Sequence, residues 1–170
     1  MPRPVWARGD VPGVTGLAAD AAGNGIAAGY FSGTYALGSA SLTASAAREG
    51  FVARFAPGGA VGWLQSVGVS DANVGVASGA AGPTVVLKRS ASVAAVLGLR
   101  ADGTPDWELQ ASGVDVSQRL SVVPGSGRVV LSGSCGGPAT FGPYAAGSGA
   151  FVASASFGTG VAVVNGVGVF

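Results

Sequence analysis

Short apolar runs alternate with clusters of Gly, Pro, Asn and Asp along the whole chain, and that punctuation predicts strands. VTGLAA (14–19), GIAAGYF (25–31), GFVARFA (50–56) and VGWLQSV (61–67) form a first set. A second set falls at 73–78, 84–89, 94–100 and 105–111, and a third at 118–123, 128–133, 149–156 and 161–167. PVWARGD (4–10) matches only the fourth strand of a set, so an extra outer strand is expected there. The pattern predicts thirteen strands and no helix. AAGN, PGG, ADG and PGSG between them suit tight hairpins, because Gly reaches positive φ without a steric penalty and Asn or Asp can bond its own backbone.

The sets are copies of one another. Trp63 and Trp107 lie 44 residues apart, and the same step carries FVARFAPGG (51–59) onto AVLGLRADG (95–103). A step of 100 carries Phe51 onto Phe151 and Trp63 onto Val163, so the third copy has lost its Trp. DAAGNGIAAG (20–29), GAAGPTVVLK (79–88) and PGSGRVVLSG (124–133) align with Gly23, Gly82 and Gly127 in register. Four antiparallel strands recurring every 44 to 57 residues describe the blades of a β-propeller. The fold class is therefore all-β, as three four-stranded blades at about 11–68, 69–112 and 113–170 within one unit, 1–170. Blades that bury both faces account for strands that read apolar almost continuously. The outer-strand Trp is expected to cover the junction between neighbouring sheets, contributing roughly 2 to 3 kcal/mol, with a sugar-stacking platform as the functional alternative.

The run DAAGNGIAAGYFSGT with Leu37-Gly38 after it, then EGFVARFAPGG and Trp63, resembles the bacterial SBBP-type ("seven-bladed β-propeller") repeat. The first copy fits well, the third less closely, and the second departs with KRSASV (88–93) where the first has a long loop. The resemblance implies the architecture and a secreted or cell-surface location, and it implies no reaction.

Charge changes the picture by its scarcity. Nine Lys and Arg against eight Asp and Glu, 10% of 170 residues, offer no clustered basic surface for nucleic acid. No apolar run is long enough to insert in a bilayer. The opening MPRPVWARG has no apolar stretch of a secretion signal, which leaves an internal protein or a piece of a longer one. Cys135 is alone, and histidine is absent, removing the commonest general base and metal ligand. SGSCGGP (132–138) has no histidine to activate Ser134 or Cys135, and GNGIAAG has no following helix to make a dinucleotide fold. No enzyme, metal or cofactor is assigned.

A propeller closes as a ring of about 4 to 8 blades, and three leave apolar faces in water. The expectation is a homodimer closing a six-bladed ring, with a trimer closing a larger one or a chain cut from a longer propeller as further options. Segment 4–10 would then lie beside the partner's last blade, or the closing VAVVNGVGVF (161–170) would be the piece that moves. Function falls to the rim that carries the long loops 32–49 and 134–148 and the links near 68–73 and 112–117. Its candidate ligand-binding residues are Tyr35, Arg48, Asp71 and Lys88, with Arg89, Asp115 and Tyr144. Arg119 is the one charge on an inner strand and lines the axis or reaches the rim. Asp71 and Asp115, 44 residues apart, either help hold calcium or bond their own turns, and the turn reading is preferred. Asp20 with Asn24 has the same two readings. Arg48–Glu49 reads as a solvated surface pair, and Lys88–Arg89 as a weak anion steerer. Two functions emerge: a non-enzymatic scaffold that binds protein or glycan at the long-loop rim, and a structural repeat protein whose property is self-assembly.

Overall fold

A computed structural model describes residues 6–70, 72–79, 81–123, 128–141, 144–156 and 162–165. Among these there are fourteen strands and no helix. The first blade is an antiparallel sheet of β1 (Val14–Ala19), β2 (Gly25–Phe31), β5 (Glu49–Phe55) and β6 (Val61–Val69) in that order. A separate hairpin of β3 (Thr34–Leu37) and β4 (Ala40–Thr43) is inserted between its second and third strands. The second blade runs β7 (Ala72–Gly79), β8 (Gly82–Ser90), β9 (Val93–Leu99) and β10 (Pro105–Val123). The third blade is not a separate sheet: it is continuous with the second through β10 in one eight-stranded sheet, which runs on into β11 (Arg128–Phe141), β13 (Gly149–Ser156) and β14 (Ala162–Asn165), with β12 (Tyr144–Ala146) folded back on the end of β11.

The hairpins follow from turn chemistry. In the β5–β6 turn the Gly59 N–H donates to the Ala56 carbonyl and the Ala56 N–H to the Ala60 carbonyl, both at 2.8 Å. The β9–β10 turn repeats this one unit later, with Gly103 donating to Arg100 and Arg100 to Thr104. Gly59 and Gly103 sit at φ 85° and 88°, in the left-handed region where an L side chain is strained.

Alternation along each strand then sorts side chains to two faces. Ile26, Ala28, Val52 and Val67 of the first blade pack against Val76, Val85, Leu87 and Leu97 of the second. Ala27, Phe31, Phe51, Ala53 and Phe55 point the other way, where Tyr35 and Leu37 of the inserted hairpin cover them. Val86, Ala94 and Val96 on the far face of the second blade meet Val114, Cys135, Ala139 and Phe141. Phe51 and Phe141 are fully buried, and each contributes about 2–3 kcal/mol by removal of its ring from water.

One contact crosses between blades at the turn glycines. The Trp63 indole lies on Gly103, where an added Cβ would come within 2.7 Å of the ring, and its N–H donates to the Ala101 carbonyl at 3.0 Å. Trp6 has the same relation to Gly59, at 2.9 Å. Trp107 lies over Gly98, its cross-strand neighbour in the same blade.

The structure departs from the strand reading in three places. Residues 6–10 form no strand, and residues 4–5 lie outside the described set. They are tethered by side chains, with Arg8 donating to the Gly59 carbonyl and to Asp10. The expected loops 32–49 and 134–148 contain β-structure: the β3–β4 hairpin in one, and the end of β11 with β12 in the other. The expected link at 112–117 is strand as well. β10 pairs with β9 through its first half and with β11 through its second, crossing from blade to blade over a bulge at Gly113, φ 74°.

Gly103→Ala should lose about 3 kcal/mol, since it combines φ strain with displacement of the Trp63 ring. Gly33→Ala, at φ 63° with open space around its Cβ, should lose about 1 kcal/mol. Urea unfolding midpoints of the two variants test the difference. Equal losses would show that the indole contact adds nothing.

Candidate functional site

Blade-to-blade crossings bring the long-loop rim together. Gly13, Gly68 and Gly113, each followed by Val, take positive φ of 53°, 85° and 74° where one blade gives way to the next. The ends of the second strands lie opposite them: a Cβ on Gly13 would strike the Tyr30 carbonyl, one on Gly68 the Arg89 guanidinium, and one on Gly113 the Pro138 carbonyl. Tyr30 and Arg89 therefore occupy equivalent places on adjacent blades.

A trough runs along this rim in two parts that share Ala47 and Arg48 as a wall. The larger part, about 480 Å³, is lined by Gly13, Tyr30, Ser32, Thr34 and Tyr35. The smaller, about 350 Å³, is lined by Ala46, Val69, Ser70 and Arg89. Arg48 is exposed and lays its guanidinium over the Tyr30 ring, 4.8 Å from the centroid. Tyr35 is buried among Phe31 and Phe51, and its hydroxyl has no hydrogen-bond partner among the described residues. Burial pushes that phenol up to about 12, so it remains a protonated donor at neutral pH.

Arg48–Glu49 is not a solvated pair. Glu49 is 7% exposed and turns inward, accepting from the Ser45 N–H at 2.7 Å, the Ser45 hydroxyl at 3.0 Å and the Ser66 hydroxyl. The Ser66 and Ser45 bonds hold its carboxyl below the usual range and outweigh desolvation. Successive residues at a strand start point to opposite sides, which sends Glu49 in and Arg48 out. Glu49 thereby pins the 45–48 segment to β6.

Arg89 is also committed. One nitrogen donates to the Val67 and Val69 carbonyls at 3.2 and 3.4 Å, and the other meets Glu108 at 3.2 Å. It clasps the end of β6 to β10 and presents only part of its charge to the trough. Lys88 precedes it on β8, half-buried. The structure thus gathers Tyr35, Arg48 and Arg89 on one rim. Asp115 and Arg119 lie on β10 opposite Ser134 and Ser132, and Tyr144 opens β12 opposite Phe141, all in the third blade. Asp71 lies outside the described residues. Sequence reasoning passed over Tyr30 and Ser66, although Tyr30 continues the alternation of Ile26 and Ala28 beyond the point where the second blade covers it. No group of three or more His, Cys, Asp or Glu gathers among the described residues as a metal site would require.

The opposite rim spends its carboxylates on its own turns. Asp20 accepts from the Ala22 and Asn24 N–H groups at 3.0 and 2.8 Å, from the Asn24 amide and, at 2.8 Å, from Arg54. A cavity of about 230 Å³ opens beside this pair, lined by Ile26, Ser78 and Pro83. Desolvation pushes the Asp20 carboxyl up, and the Asn24 and Arg54 donors outweigh it to hold the group at about 2.

No model of a known protein family matches this chain, and no curated protein is significantly similar to it.

A carboxylate whose pKa falls on folding stabilises the fold above its unfolded value, and the gain is lost as pH drops through the folded one. Asp20 should therefore contribute about 2 kcal/mol at neutral pH, disappearing between about pH 4 and pH 2. Asp20→Asn should lower the urea midpoint at pH 7 and converge with the parent near pH 2. Parallel curves for the two proteins across that range would disprove the assignment.

Proposed function

We propose that this chain is a non-enzymatic binding module, a propeller-type repeat scaffold of SBBP character that takes its ligand in the rim trough around Arg48. The observation that carries the reading is the Arg48 guanidinium laid on Tyr30 between two open cavities, with no carboxylate partner among the described residues. An arginine held over an aromatic ring keeps its N–H donors available to an anion. Ser32 and Thr34 add exposed hydroxyls along the same wall. This combination suits a hydroxyl-rich acidic ligand, and we assign a glycan bearing carboxylates. The acid nearest Arg48 in sequence, Glu49, is turned into the sheet, which favours binding over catalysis. A surface location, as the repeat resemblance implies, would bring such glycans within reach.

Calorimetric titration with a uronic-acid oligosaccharide, a matched neutral oligosaccharide and a glutamate-rich peptide tests the reading. The uronic-acid sugar should bind with an affinity that falls with salt. Arg48→Ala should weaken it about tenfold, or about 1.4 kcal/mol, leaving the unfolding midpoint unchanged. No binding to the acidic sugar, or binding indifferent to Arg48, would overturn the proposal. A preference for the peptide would reassign the ligand class.

A further inference from the structure

We infer that the part of the first blade's outer face that the β3–β4 hairpin leaves uncovered, around Leu17, together with Trp6–Asp10, is the docking surface for the third blade of a second copy of this chain. The contact between the first and second blades shows what one blade requires of the next. An apolar face is covered, and Trp63 from the outer strand of one blade seats on the turn glycine of its neighbour, with Arg54 and the indole N–H both donating to the Ala101 carbonyl.

On the open side of the first blade the same seat is taken by Trp6 on Gly59, with Arg8 donating to the Gly59 carbonyl at 3.1 Å. Residues 6–10 thus hold the place of a preceding blade's outer strand, yet they pair with no strand among the described residues. Beside them the surface is unlike an ordinary exterior. Leu17 is 75% exposed and Val14 and Trp6 each 39%, around a cavity of about 390 Å³ floored by Ala18 and Phe55. Soluble proteins seldom leave such a contiguous apolar face in water.

The third repeat fits this face better than the other two. First and second carry Trp63 and Trp107 on their outer strands, and the third carries Val163. A third blade set against the first blade would lack the indole at the seat, and Trp6 already supplies it there. Among the described residues β14, with Val163 in its four residues, is the last strand of its sheet, with an edge beside which residues 6–10 can lie. Two copies docking reciprocally close a six-bladed ring, with the contact heterologous within each junction and the pair related by a twofold axis.

Light scattering over a concentration series reads the outcome directly. The parent chain should run at twice 16.2 kDa. Leu17→Glu changes an exposed side chain and should raise the dimer dissociation constant at least a hundredfold, with an unchanged circular dichroism spectrum. Trp6→Ala provides an independent disruption. A second test places cysteines at Ala7 and Val163 in a Cys135→Ser background and oxidises a mixture of two differently sized tagged chains. Cross-links between the two sizes are expected. A parent chain that is monomeric at every concentration, a mass of three or more copies, a dimer indifferent to both substitutions, or cross-links confined within single chains would each overturn the inference. Arg48→Ala should leave the mass unchanged, so failure here and failure of the glycan reading are separable.

Discussion

The contact of an indole with a turn glycine sets the geometry in which the first blade meets the second, and the core they share depends on it. A β-sheet that buries both faces has no preferred depth of approach to its neighbour, because apolar contact is non-directional. Trp63 on Gly103 supplies direction. The glycine is forced by a φ of 88°, the absence of a Cβ lets the ring lie on the backbone, and the N–H to Ala101 fixes which turn is met. Once that corner is seated, Ile26, Ala28 and Val52 come into register with Val85, Leu87 and Leu97. The hydrophobic term is the larger one, and the corner decides where it is collected.

Charge serves the same purpose in a chain that has little of it. Arg54 reaches from the third strand of the first blade to Asp20 and to Ala101 of the second, and Arg89 joins the carbonyls of Val67 and Val69 to Glu108. These guanidiniums act as multi-pronged ties between backbones, a role lysine fills poorly because it lacks the planar fork. Arg48 differs in kind, having an aromatic ring instead of a carbonyl or carboxylate to hold it.

Much of the fold was legible because its turns obey local chemistry. β1 and β2 fall at the predicted 14–19 and 25–31, and β13 at 149–156, since Gly, Asn and Asp mark their ends unambiguously. What was lost had weak local signals. TYALGSASLT reads as a loop by composition, yet alternation places Tyr35 and Leu37 inward, and the sheet beneath gives them a surface to cover. Gly113 looks like a turn residue, and here it makes a bulge through which β10 keeps going. The rim was legible only in part. Loop position pointed to Tyr35, Arg48 and Arg89, whereas the inward turn of Glu49 depends on Ser66, seventeen residues away on another strand.

The two rims follow from this economy. On the short-turn rim the acids are committed to their own hairpins: Asp20 to Asn24, and Asp102 to the Thr104 N–H and hydroxyl at 2.9 and 2.6 Å. Tight turns need such bonds because their backbone donors have no ladder partner. The other rim has its longest connection spanned by the β3–β4 hairpin, which pairs its own backbone; Glu49 and Arg89 there still bind backbone groups, whereas Arg48 is held by a ring. Sheet faces are consumed by packing and the short turns by themselves. Arg48, over the Tyr30 ring and between two cavities, stands where the chain passes from second to third strand.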